Sequence, residues 1–113
     1  MQIQSLTSTV PDLIEEIGAA LTAMGRHALV SLLAATTIER CTYDEEANVG
    51  YIYIVRTTQS PYYANLGAPV AETISFYGEL GINIDVDYDG NIFGIEFLDR
   101  PDVVARLKEN NAL

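Results

Sequence analysis

Tryptophan is absent from this chain of 113 residues, cysteine and histidine occur once each, and six basic residues stand against sixteen acidic ones. Each scarcity excludes something. With Cys41 alone no internal disulfide can form, and a reducing cytosol is the natural setting. The setting of Cys41 in IERCTY, a strand-like segment, favours an inert apolar side chain over a nucleophile. Cys41 and His27 together cannot make a zinc site, which needs a cluster of such ligands. A net charge of −10 removes the surplus of Lys and Arg on which direct nucleic-acid binding and attachment to anionic membranes depend. No apolar run approaches the length of about 18 residues that reads as a membrane span. The longest, residues 28–35, is interrupted by Ser31. The start, MQIQSLTSTV, lacks the basic beginning and apolar centre of a secretory signal. A soluble, cytoplasmic protein is expected, with no cofactor, nucleic acid or membrane among its partners.

With 49% hydrophobic residues, the chain can fold as one domain around a core of its own. Ser8 or Thr9 can cap a helix that starts near Val10, with Pro11 in its first turn and Asp12, Glu15 and Glu16 near the positive end of its dipole. Leu13, Ile14, Ile17, Leu21 and Met24 form one apolar stripe, and Gly25 ends it. Residues 27–35, HALVSLLAA, suit a short buried helix or a strand; their Ala and Leu content favours helix.

From Ile38 the character turns to β. IERCTY and VGYIYIV flank the polar DEEAN and read as a hairpin with its loop at residues 45–48. The unbroken apolar run at residues 51–55 predicts a central strand covered on both faces. One helical layer covers one face, so a second subunit is a candidate for the other and a homodimer is expected. Residues 57–69 form a loop that contains Ser60-Pro61 and the pair Tyr62-Tyr63. Residues 70–77 fit a strand, although Val70, Ile74 and Tyr77 also match helical spacing; residues 78–81 make a turn. Asp99 can cap a final helix from Arg100 to about Asn110, with Val103, Val104 and Leu107 inward. The expected fold is α+β: an antiparallel sheet of four to five strands built from hairpins in a β-rich core, residues 38–99. A helical extension, residues 1–36, and a terminal helix, residues 100–110, pack mainly on one face.

Residues 82–98, INIDVDYDGNIFGIEFL, support two incompatible structures. Asp85, Asp87, Asp89, Gly90 and Glu96 occupy the first, third, fifth, sixth and twelfth positions of an EF-hand calcium loop, and Ile92 its apolar eighth. The flanks do not suit helices: Gly81 and two β-branched residues precede the loop, and Pro101 follows closely. As a hairpin around a two-residue primed turn at Asp89-Gly90, Val86 faces Phe93, Ile84 faces Ile95 and Ile82 faces Phe97, all on one face. Asn83, Asp85, Asp87, Ile92, Gly94 and Glu96 then share the other. The period of two favours the hairpin.

These residues resemble a family of small bacterial and phage proteins known as domain of unknown function 2283. YDEEANVGYIYI, residues 43–54, is similar to its first hairpin, and DYDGNIFGIEFL, residues 87–98, to its second. The resemblance covers about residues 38–99 and implies a small β-rich domain without an established activity. A neutralising role toward a protein partner is what relatives beside toxin-like proteins suggest. The helical extension and the Tyr62-Tyr63 loop depart from the family pattern.

Catalysis is not expected, because no nucleophile motif, phosphate loop or histidine constellation accompanies the carboxylates. The leading expectation is a non-catalytic module that binds a basic protein through Asp85, Asp87 and Glu96, with Tyr62 and Tyr63 as anchors. Like charges so close on paired strands need compensation, from solvent, from Arg40 or Arg56, from a cation, or from the partner. The alternatives are a calcium module using Asp85, Asp87, Asp89 and Glu96, and an inhibitor whose carboxylates imitate nucleic acid.

Overall fold

The computed structural model describes residues 4–55 and 70–113. A two-residue strand, β1 (Gln4–Ser5), leads through the single turn α1 (Leu6–Thr9) to the helices α2 (Pro11–Ala23) and α3 (His27–Ala34). The hairpin β2 (Thr37–Asp44) and β3 (Val49–Ile54) follows. After residue 69 come β4 (Val70–Phe76), the turn α4 (Tyr77–Leu80), the hairpin β5 (Ile82–Asp87) and β6 (Ile92–Leu98), and α5 (Pro101–Glu109). The fold is α+β. Among the described residues one antiparallel sheet has six strands in the order β1-β2-β3-β6-β5-β4, so the two hairpins lie side by side and join along β3 and β6. The strand beyond the expected five is β1, which pairs Gln4 with Ile38 and Ser5 with Thr37.

Leu13, Ile17 and Leu21 of α2, Leu29 and Leu33 of α3, and Val103, Val104 and Leu107 of α5 are buried in one cluster with Ile52, Ile54, Ile82, Ile84, Ile95 and Phe97. All three helices therefore cover the same face of the sheet. Among the described residues no helix is long and apolar enough to cross a membrane. Along β3, Gly50, Ile52 and Ile54 are buried beneath the helices, while Tyr51 and Tyr53 are half-buried on the face away from them. Tyrosine can stand on a partly wetted surface because its ring is apolar and its tip polar.

Two expected helix caps are replaced. Neither Ser8 nor Thr9 caps α2. Instead Ser5 accepts from the Ser8 amide at 3.1 Å to start α1, and α1 runs into α2, whose cap position, Val10, has no side-chain bond. Asp99 does not cap α5: it has a left-handed φ of 53° and bonds Asn48, while Arg100 holds the cap position. Met24 leaves the predicted stripe and is 52% exposed.

The second hairpin keeps the expected register at Ile82 with Phe97 and Ile84 with Ile95, then departs from it. Asp85 opposes Gly94 but Val86 opposes Ile92, so Phe93 is an extra residue in β6. Such a bulge switches the faces beyond it. Ile92 is consequently buried in the core, and Phe93 joins Tyr51 and Tyr53 on the other face. The turn is also longer than predicted. Gly90 donates to the Asp87 carbonyl at 3.1 Å, Asp87 to the Asn91 carbonyl at 2.9 Å, and Gly90 has φ 84°. This is a three-residue loop closed by a left-handed glycine.

Two glycines admit aromatic rings at the seam between hairpins. Gly50 lies opposite Phe97, and a methyl at residue 50 would overlap the Phe97 ring on the core face. On the other face a methyl at residue 94 would overlap the ring of Tyr51. Tyr43 stacks on Phe97 at 6.3 Å between centroids. Gly50→Ala is therefore expected to destabilise the protein by about 2–3 kcal/mol, the upper range for overpacking a core. Gly78→Ala, with nothing within 4 Å of the new methyl, should be neutral or stabilising. Urea denaturation of the two variants checks the opposite signs.

Candidate functional site: the helix-free face of the sheet

The face turned away from the helices is built from two cross-strand rows. One runs Arg40, Tyr53, Gly94, Asp85, Thr73 across β2, β3, β6, β5 and β4. The other runs Thr42, Tyr51, Glu96, Asn83, Ser75 across the same strands. The period of two puts these residues together, and β-branched and aromatic residues suit the pleated surface.

Gly94 leaves a gap in the first row. The Tyr51 ring leans from the second row into it and donates its hydroxyl to Asp85 Oδ2 at 2.6 Å. Asp85 Oδ1 accepts from Thr73 Oγ1 at 2.6 Å. Glu96 accepts from Asn83 Nδ2 at 3.2 Å and from the Tyr77 hydroxyl. Tyr51 and Tyr53 lie 4.6 Å apart, Phe93 stands edge-on to Tyr53 at 6.2 Å, and the Arg40 guanidinium lies 3.7 Å over the Tyr53 ring.

The electrostatics follow from these contacts. Burial, then the bond to Asp85, pushes the Tyr51 phenol far above the ordinary tyrosine range. The bond to Glu96 pushes Tyr77 up to about 12. Both phenols keep their protons at neutral pH and donate them to carboxylates. Burial alone raises the Cys41 thiol to about 11, so it stays protonated and unreactive.

The structure brings two of the five sequence-predicted site residues together, Asp85 and Glu96, on neighbouring strands of this face. It withdraws Asp87, which is 2% exposed and whose Oδ1 accepts from the amides of Asp89 and Asn91, both at 2.9 Å. The bulge and the turn remove Asp87 from the simple alternation that had placed it beside Asp85. Tyr62, Tyr63 and Arg56 lie outside the described residues. Compensation for the paired carboxylates comes from hydroxyl and amide donors; Arg40 instead covers Tyr53. Sequence reasoning missed Tyr53, Phe93, Thr73 and Tyr77 as members of this face. Period-two spacing from Arg40 and Tyr51 carried the signal for the first strands, whereas the bulge concealed Phe93.

The EF-hand reading is overturned by β5 and β6, which enter and leave the loop as strands. Its would-be ligands also serve different partners: Asp85 bonds Tyr51 and Thr73, Asp87 the turn amides, and Glu96 Tyr77 and Asn83. Among the described residues no group of three or more His, Cys, Asp and Glu side chains is placed to hold a metal ion.

The fold and this face define a small α+β domain with a one-sided antiparallel sheet whose other surface is aromatic and acidic. The family model described as "Protein of unknown function (DUF2283)" matches residues 40–100, more than half of the chain, and the chain belongs to that family. The match spans both hairpins and leaves α1, α2 and α3 outside. Comparisons with curated proteins and with solved structures gave no match.

Tyr51→Phe removes a hydrogen bond to a carboxylate and is expected to cost about 1–2 kcal/mol at neutral pH. A raised phenol pKa contributes stability that is whole below the ordinary value of 10.0 and is lost as pH rises through the folded value. Between pH 10 and about 12, wild-type protein should therefore lose more stability than the double variant Tyr51→Phe, Tyr77→Phe. Urea midpoints measured across that interval check it; parallel curves would contradict it.

Proposed function

We propose that the protein is a non-catalytic interaction module that binds a basic protein through the sheet face around Asp85 and Glu96, and acts as a neutralising or inhibitory partner. The observation that carries this reading is how the two carboxylates are satisfied. Their partners are the hydroxyls of Tyr51, Thr73 and Tyr77 and the amide of Asn83. These donors fix the carboxylates in place without cancelling their charge. A preorganised negative surface beside tyrosine rings is suited to a cationic partner, since aromatic anchors supply contact area and fixed charges supply steering and specificity. The net charge of −10 acts in the same direction over longer range.

Self-association through this face would oppose the carboxylates of two copies. Like charges set against one another disfavour such a pairing. The reading therefore favours a different protein over a homodimer.

Affinity capture from the native host or its infected cell, with mass spectrometry of what is retained at moderate salt, tests the proposal. One basic protein should be retained stoichiometrically, and the variant Asp85→Asn, Glu96→Gln should bind it at least about tenfold more weakly. Equal binding by the variant, or recovery of the domain alone, contradicts the proposal.

A further inference from the structure

Among the described residues, Arg26, Arg100 and Arg106 each reach a carboxylate within 3.4 Å, and Arg40 does not. Arg26 binds Glu72 at 2.6 Å. Arg100 binds Glu16 at 2.7 Å, Asp102 at 2.9 Å and the Leu80 carbonyl at 2.7 Å. Among the described residues Arg40 has one ionic contact, 3.8 Å to its chain neighbour Glu39, and both side chains are 56% exposed. An exposed contact of that length contributes little. What positions the Arg40 guanidinium is the ring of Tyr53, 3.7 Å below it.

Tyr53 is itself set by neighbours. Tyr51 lies tilted against it at 4.6 Å, and Phe93 meets it edge-on at 78°. Its row continues through Gly94 to Asp85, and Glu96 stands in the adjacent row. A fixed π face beside fixed carboxylates recognises a planar, weakly hydrated cation better than a compact ammonium, because the guanidinium can stack and fork at once.

We infer that Tyr53, braced by Tyr51 and Phe93, is an arginine-recognition site and that Arg40 occupies it until a partner's arginine displaces it. The inference rests on the proposed binding role and specifies its chemistry: an arginine-bearing protein segment, for which Arg40 is the internal stand-in. The weak tether to Glu39 makes the displacement inexpensive, since the leaving guanidinium passes directly into water.

The test uses the full chain and two short blocked peptides of equal length and charge, one alternating glycine with arginine and the other glycine with lysine. Binding is followed through the ring signals of Tyr51, Tyr53 and Phe93 in NMR titrations. The arginine peptide should bind about two- to fivefold more tightly and move the ring signals. Arg40→Ala should tighten the arginine peptide more than the lysine peptide, again by about two- to fivefold. Tyr53→Leu, with its fold verified by the amide spectrum, should bring arginine binding down to the lysine level.

Three results would overturn the inference. Equal binding of both peptides with unmoved ring signals would leave charge alone at work, and the broader binding role would stand. An equal gain for both peptides in Arg40→Ala, or a loss, would make Arg40 an ordinary surface charge or a contact residue. Binding by neither peptide would remove the arginine site, and the capture experiment would then decide the broader role separately.

Discussion

The two hairpins meet along a single pair of strands, β3 and β6, and that pair closes because each strand offers a glycine to the other's aromatic ring. Gly50 of β3 accommodates Phe97 on the helical side, and Gly94 of β6 accommodates Tyr51 on the other. Interiors are packed too densely to absorb an extra methyl at such a contact. The consequences extend in both directions from the seam. Phe97 is fully buried and central to the core that α2, α3 and α5 complete. Tyr51, lying in the gap at Gly94, reaches Asp85 and so fixes a carboxylate two strands away. The seam thus joins the hydrophobic core to the polar face through one pair of strands.

Much of the family pattern serves this architecture. Tyr43 stacks on Phe97 and donates to Asn48 at 2.7 Å, and Asn48 in turn donates to Asp99 at 2.8 Å, tying the first loop to the end of β6. Asp44 accepts from the amides of Glu46 and Ala47 within that loop. Asp87 and Gly90 do equivalent work in the second. Short side chains that bond nearby amides are the ordinary chemistry of turns. Removing these residues from the functional account leaves Asp85 and Glu96 as carboxylates turned toward partners other than their own turn, with the rings of Tyr51, Tyr53 and Phe93 beside them.

The fold class, both hairpins, the α3 helix and the family were legible in the sequence because local signals agreed: alternation in the strands, helical spacing in α2, and polar loops between. The failures have physical causes. A two-residue strand such as β1 has no period to read. In β3 the alternation is masked because Tyr51 and Tyr53 carry apolar rings, although they stand half-buried on the face away from the helices. The bulge at Phe93 exchanges the faces of Ile92 and Phe93, and no residue there announces it. The calcium motif arose from the same chemistry as the true turn, since Asp at the turn entry and Gly at its left-handed position satisfy both patterns. Asp85 and Glu96 were legible as neighbours from the register alone. The aromatic half of the site was not, because it depends on the bulge and on the space above Gly94.

The proposed binding role makes the face opposite the helices the working surface of the protein. Mapping amide and ring chemical shifts on the full chain bound to its captured partner tests it most directly. The largest changes should fall on the two cross-strand rows, from Arg40 to Thr73 and from Thr42 to Ser75, with α2, α3 and α5 little altered. Changes concentrated on the helices, with Tyr53, Asp85 and Glu96 unmoved, would contradict it.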